Sequence, residues 1–184
     1  MGTELERRFL IDIENLDQMI NYFDQNSNKV IKDIRQGYLS DNENGVVRIR
    51  HSLIQKYQDG EYNESASAFL TVKGPKVNGS CSEFEYRIPV QDAIEMLKTV
   101  PATQIIEKQR TVIPLAHGSS NFKLEFDEFD GLNEGLIILE VELDNFDDLD
   151  PTILPAFVGK EITGNEEYAN AVLAKYPYTL RDKN

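Results

Sequence analysis

At 184 residues, 40% of them hydrophobic, the chain is long enough for one domain, residues 1–184, with a substantial core. Lys and Arg number 19 against 32 Asp and Glu, a net charge of −13, which argues against a general nucleic-acid or anionic-membrane binder. It leaves room for a small polyanion, provided the basic residues gather in one place.

The first predicted element is a strand over ELERRFL, where alternation puts Glu4, Glu6 and Arg8 on one face and Leu5 and Phe9 on the other. Leu16, Met19, Ile20 and Phe23 recur at helical spacing, with Asn15 as the expected N-cap. IRQGYL, from Ile34 to Leu39, reads as a strand. VVRIRH sets Arg48 and Arg50 against Val47 and Ile49, and FLTVKG sets Lys73 and Thr71 against Leu70 and Val72. SEFEYRI gathers Glu83, Glu85 and Arg87 opposite Phe84, Tyr86 and Ile88. A short helix with Ala93, Ile94 and Leu97 follows Pro89 and ends near Pro101. IEKQRTV carries Lys108 and Arg110 on one face. FKLEFDE sets Lys123, Glu125 and Asp127 against Phe122, Leu124 and Phe126, and ILEVELD sets Glu140, Glu142 and Asp144 against Leu139, Val141 and Leu143. Residues 146–157 hold two prolines and predict a broken helix at best. A final helix through Tyr168, Ala171, Val172 and Lys175 is expected to be capped at Thr163 or Asn165 and to stop before Pro177.

A sheet with one wet face also alternates, but such faces are usually mixed. Here the polar positions are nearly all ionisable and their signs cluster by strand. The acid pairs Glu4/Glu6, Glu83/Glu85, Glu125/Asp127 and Glu140/Glu142 would repel one another on a shared face unless cations neutralise them. Several short strands, eight in all, and few helices predict an α+β fold, a closed or nearly closed eight-stranded antiparallel β-barrel flanked by helices. Its apolar alternates face outward under the helices, and its charged ones line the lumen. An outer-membrane barrel shares the pattern, but it would need a secretion signal and turns free of amphipathic helices.

No apolar run nears the ~20 residues of a membrane-spanning helix, and the charged N-terminus does not read as a signal peptide. Glu6 stands where a myristoylation motif wants Ser or Thr. The single cysteine, Cys81, suits a reducing compartment, and His51 and His117, far apart and without cysteine partners, do not suggest structural zinc. A cytoplasmic location, no nucleic-acid or membrane partner, and a monomer or homodimer are the expectations.

Carboxylates suit hard divalent cations such as Mg²⁺ or Mn²⁺, and Arg and Lys suit phosphate oxygens. A ligand that needs both is a metal-chelated polyphosphate, and the matching reaction is phosphoryl transfer. No GxxxxGK[ST] or kinase-like set is present. The interleaved bases make no sense for a glycosidase acting on a neutral sugar.

TELERRFL resembles the ExExK signature of the CYTH family, the triphosphate tunnel metalloenzymes. RQGYL, RIR, LTVKG, EFEYRI, EKQR, LEFDEFDGL, LEVE, GKEIT and YANAVLA follow in that family's order. The resemblance implies a metal-dependent triphosphatase, acting on inorganic triphosphate or a nucleoside or thiamine triphosphate, with Mg²⁺ or Mn²⁺ as cofactor. By position, Glu4, Glu6, Glu140 and Glu142 resemble the metal-binding acids, with Glu83, Glu85, Glu125 and Asp127 as further lumen carboxylates. Arg48, Arg50, Lys73, Lys108 and Arg110 match the bases that grip phosphate. The chain departs from the family in Arg8, where the signature has Lys, in Asn165, where relatives often have Asp, and in Glu166, where many have Lys. Arg8 falls at the basic residue that ends the signature, the catalytic position the resemblance implies; if that residue accepts a proton from water, arginine, which stays charged, cannot do so, but as a fixed cation it can steady phosphate. The alternatives are a class IV adenylate cyclase, although no aromatic among the lumen positions is read as stacking a base, and a non-catalytic polyphosphate or nucleotide-binding module.

Overall fold

The computed structural model describes residues 5–75, 82–117, 120–143 and 153–180. Glu4, Cys81, Asp144 and most of the stretch 146–157 lie outside the described residues. Eight strands form one antiparallel sheet: β1 (Leu5–Leu10), β2 (Lys29–Asn42), β3 (Gly45–Gln58), β4 (Glu61–Lys73), β5 (Glu83–Arg87), β6 (Ile105–His117), β7 (Ser120–Phe129) and β8 (Ile137–Leu143), in the order β1-β8-β7-β6-β2-β3-β4-β5. Among the described residues three α-helices accompany them, α1 (Leu16–Gln25), α2 (Val90–Thr99) and α3 (Asn170–Lys175).

The sheet is an eight-stranded tunnel whose curl can be read from its packing. Leu10 on β1 and Val46 on β3 pack against one hydrophobic cluster, although four strands separate them in the sheet. In a flat sheet five strand spacings would set them ~24 Å apart. No hydrogen-bonded ladder joins β1 to β5 among the described residues, so the tunnel is curled rather than closed by hydrogen bonds. The free edge of β1 is instead covered by residues 159–162. Ile162 N–H donates to Arg8 O at 2.8 Å, Leu10 N–H to Lys160 O at 2.8 Å, and Gly159 N–H to Leu10 O at 2.9 Å.

The outer face carries the apolar alternates, as the alternation predicts. Phe9, Phe122, Leu124, Phe126, Leu139 and Val141 form one core under α1, which contributes Met19 and Phe23. Phe23 meets Phe126 edge-on at 5.1 Å between ring centroids. Each such buried side chain contributes roughly 1.5–3 kcal/mol. A second outer core, Ile49 and Ala68, lies under Ala93 and Leu97 of α2. Gly37 makes that contact close: a Cβ there would come within 2.9 Å of Leu97 and 3.0 Å of Ile105.

Two local readings need correction. Asn15 does occupy the N-cap of α1, but its side chain accepts no backbone N–H; Oδ1 takes the Gln18 amide at 3.0 Å. Strands β2, β3 and β4 are also much longer than the stretches read from alternation. The turn that joins β3 to β4 is Asp59-Gly60, both at positive φ (52° and 83°), the preferred chemistry for a tight hairpin. It extends the pairing from Gln58↔Glu61 back through Val46↔Lys73.

Candidate active site

Residues directly opposite in an antiparallel pair share a face, so register assigns the lumen. Glu6 lies opposite Glu142, Arg8 opposite Glu140, and Glu125 opposite Glu140. Arg110 lies opposite both Asp127 and Lys32, Arg50 opposite Gln36 and Phe69, and Arg48 opposite Tyr38 and Thr71. On β5, Glu85 faces Thr71, Glu83 faces Lys73 and Arg87 faces Phe69. The predicted charged positions among the described residues therefore converge on one face, the concave one.

The lumen is not charged throughout. Ile138, Leu136, Ile106, Tyr38 and Phe129 pack with Ile162 and with Leu173 and Ala174 of α3, so one end of the inner face is apolar and covered by the C-terminal segment. Asn165 caps the short 3₁₀ turn Glu166–Tyr168 there, its Oδ1 accepting Glu167 N–H at 3.0 Å. Alternation misses this apolar end because Ile138 shares β8 and a face with Glu140.

At the centre sits Arg110, whose guanidinium donates to Asp127 (2.6 Å from Nη2 to Oδ2), Glu125 and Glu140. Burial works against its charge, but Asp127, Glu140 and Glu125 together hold its pKa well above the usual value. Asp127 is 0% exposed and also accepts from Lys108, itself 4% exposed. Burial would raise the Asp127 carboxyl, yet Lys108 and Arg110 overcome it and hold it below the ordinary range. The Lys108 ammonium also lies 5.1 Å from the centre of the Phe129 ring. Glu125 goes the other way: burial lifts its pKa despite Arg110.

Arg8 spans this acid cluster and the C-terminal cover. Its Nε is 3.2 Å from Glu140 Oε1 and 3.8 Å from Glu6 Oε1, and its Nη2 donates to the carbonyl of Tyr168 at 2.8 Å. Its backbone N–H donates to Thr163 Oγ1 at 3.0 Å. Lys123 pairs with Glu142 at 3.0 Å.

The opposite wall is richer in bases. Arg50 Nη2 donates to Glu85 at 3.2 Å, and Arg48 donates to Thr71 Oγ1 at 3.2 Å while lying 3.7 Å from Glu85. Burial, reinforced by Arg48, lowers the pKa of Arg50 against the pull of Glu85. Lys73 pairs with Glu83 at 3.0 Å. Two inner-face residues escaped the sequence reading. Phe69 stands beside Arg50, whose guanidinium carbon is 5.6 Å from the ring centre, so the lumen does hold an aromatic; counting two residues back from Thr71 finds it. Lys32 is half-buried opposite Arg110; it was missed because the strand was read only from Ile34 onward.

Glu6 against Glu142, and Glu125 against Glu140, are like charges directly opposite, an arrangement that destabilises a sheet unless a cation intervenes. Hard oxygen donors in such pairs fit a divalent ion in kind. Among the described residues no three carboxylates converge on one ion-sized point; those that converge do so on Arg110. A curled antiparallel sheet with this concave face, one wall rich in acids and the other in bases, defines a tunnel protein with a charged lumen. Residues 2–158 match the CYTH domain, and the chain belongs to that family. It is 33% identical to an inorganic triphosphatase of Acetivibrio thermocellus over 181 residues, 97% of each chain. It is 30% identical to an inorganic triphosphatase of Nitrosomonas europaea over 174 residues, 94% of this chain and 97% of the relative. The crystal structure of an inorganic triphosphatase superposes with a TM-score of 0.61 at 26% identity, covering 95% of this chain and 96% of that one.

Proposed function

We propose that the chain hydrolyses inorganic triphosphate inside the tunnel with a divalent ion, Mg²⁺ or Mn²⁺. The observation that carries this reading is the pairing of an acid-rich wall with a base-rich wall across one concave face, in a chain similar over nearly its whole length to the two inorganic triphosphatases named above. Glu6, Glu140 and Glu142, with Glu4, would hold the ion, which neutralises charge on the reacting phosphoryl oxygens. Glu125 and Asp127 back them by anchoring Arg110, and Glu83 and Glu85 orient Lys73 and Arg50.

Arg48, Arg50 and Lys73 would align the polyphosphate by charge-assisted hydrogen bonds. Arg110 and Lys108 sit on the acid wall, where Arg110 can share a phosphate oxygen only by loosening one of its carboxylates. Arg8 supplies a fixed positive charge beside Glu140 and leaves the proton of the attacking water to solvent or to the substrate itself. Phe69 beside Arg50 favours testing a nucleotide as a second substrate. The protein is incubated with triphosphate, ATP and thiamine triphosphate, each with Mg²⁺ or Mn²⁺, while phosphate, pyrophosphate and cyclic AMP are followed. Phosphate and pyrophosphate from triphosphate are expected; cyclic AMP from ATP, or no turnover of any of the three, contradicts the reading.

A further inference from the structure

We propose that Lys32 is a further phosphate-gripping residue of this tunnel, binding a phosphoryl group between β2 and Arg110. The inference rests on the triphosphate reading and adds a residue outside the set that the family resemblance implies.

Each base of that set already has a carboxylate within reach. Arg48 and Arg50 lie 3.7 and 3.2 Å from Glu85, Lys73 lies 3.0 Å from Glu83, and Lys108 and Arg110 are engaged by Asp127. Each of these bases thus has a counter-charge within the protein. Lys32 differs. It is directly opposite Arg110 on β6 and Ile54 on β3, so it faces the lumen, and it is half-buried. No ion pair or side-chain hydrogen bond engages it among the described residues. The charges of Arg110, Arg50 and Lys123 repel it and that of Glu125 attracts it; Glu125 is already held by Arg110.

A partly desolvated ammonium among like charges is unfavourable, and an entering anion relieves it without the loss of its proton. A phosphate oxygen has the right charge and can accept from Lys32 and from Arg110 or Arg50 together. Among the described residues the fold thus leaves this half-buried base without a carboxylate, while the five bases of the family set rest on theirs. Its place in register, between Arg110 of the acid wall and the strand carrying Arg50, puts it where the two walls meet.

The test uses the full chain with Lys32→Ala and Lys32→Arg, and Lys56→Ala as a control exposed on the β3–β4 arm. Triphosphate binding is titrated in chelator, and hydrolysis is measured with Mn²⁺. Lys32→Ala should raise both the dissociation constant and KM roughly tenfold or more, as loss of a charge-assisted hydrogen bond implies, and Lys32→Arg should recover most of it. The melting temperature of ligand-free Lys32→Ala should equal or exceed that of the wild type, which separates this role from a structural one. Lys56→Ala should match the wild type throughout. Unchanged binding and KM in Lys32→Ala, with a wild type that does hydrolyse triphosphate, overturns the assignment of Lys32 alone. A wild type that neither binds nor hydrolyses triphosphate overturns the functional reading, and the role of Lys32 with it.

Discussion

The two walls of the tunnel solve the problem of a charged lumen differently. On β1, β6, β7 and β8, acids and bases interlock: Arg110 bridges three carboxylates, Asp127 is sealed under Lys108 and Arg110, and Arg8 ties Glu140 to the C-terminal cover. On β2 to β5, Lys32, Arg48, Arg50, Lys73 and Arg87 outnumber Glu83 and Glu85, and the pairs are looser and more exposed. The acid wall is built as a rigid, nearly neutralised frame, and the base wall as a set of cations that can change partners. A frame suits residues that must hold positions against mutual repulsion. Exchangeable pairs suit residues that must let a polyanion in and release it.

The largest expected effect tests the frame's opposed carboxylates. Glu142→Gln should abolish nearly all triphosphate turnover while the protein stays folded, and its ligand-free melting temperature should hold or rise, because the like charge facing Glu6 is gone. Wild-type activity persisting in excess chelator would break the comparison at its root.

Next comes the buried pair. Asp127→Asn leaves the buried Lys108 without the carboxylate it is bonded to and should cost about 3–5 kcal/mol in urea unfolding at neutral pH. The pKa of Asp127 is depressed in the fold. Its contribution is therefore complete above the ordinary Asp value of ~3.9 and is lost as pH falls through the lower, folded value. The gap between wild type and mutant should close correspondingly in acid. The same change on the other wall, Glu83→Gln beside half-exposed Lys73, should move stability by less than about 1 kcal/mol.

On the base wall, Arg50→Ala should weaken triphosphate binding by about 1.5–3 kcal/mol with little change in melting temperature, checked by titration calorimetry and thermal unfolding. The smallest effect belongs to Arg8→Lys. It keeps a cation near Glu140 but gives up the bond to Tyr168 O, worth roughly 0.5–1.5 kcal/mol. Turnover should be kept or raised near neutral pH, because lysine can share a proton and arginine cannot. A complete loss of activity in Arg8→Lys would show that the planar guanidinium itself is required.

Most of this contrast was legible in the sequence, because period-two alternation with ionisable residues of clustered sign leaves a concave lumen as the place for them. Glu6, Arg8, Arg48, Arg50, Glu83, Glu85, Glu125 and Glu140 fall on the face that alternation gave them. Alternation says nothing of depth along a strand, so it could not separate Glu140 from Ile138, two residues apart on the same face with opposite surroundings. Nor could it pair charges across strands. That Arg110 serves three carboxylates depends on the order β6-β7-β8, which no local pattern encodes. Lys32 and Phe69 do not stand out as the pairs do: on its face Lys32 is a single charge between Val30 and Ile34, and Phe69 a single aromatic two residues before Thr71.

The most direct test of the division of labour is a Mn²⁺ and triphosphate binding matrix on the wild type, Glu142→Gln and Arg50→Ala, read by titration calorimetry. Glu142→Gln should lose Mn²⁺ affinity and retain triphosphate binding measured in chelator. Arg50→Ala should retain Mn²⁺ affinity and lose triphosphate. If both variants lose both ligands alike, or if Arg50→Ala binds triphosphate as the wild type does, the two walls do not have separate roles.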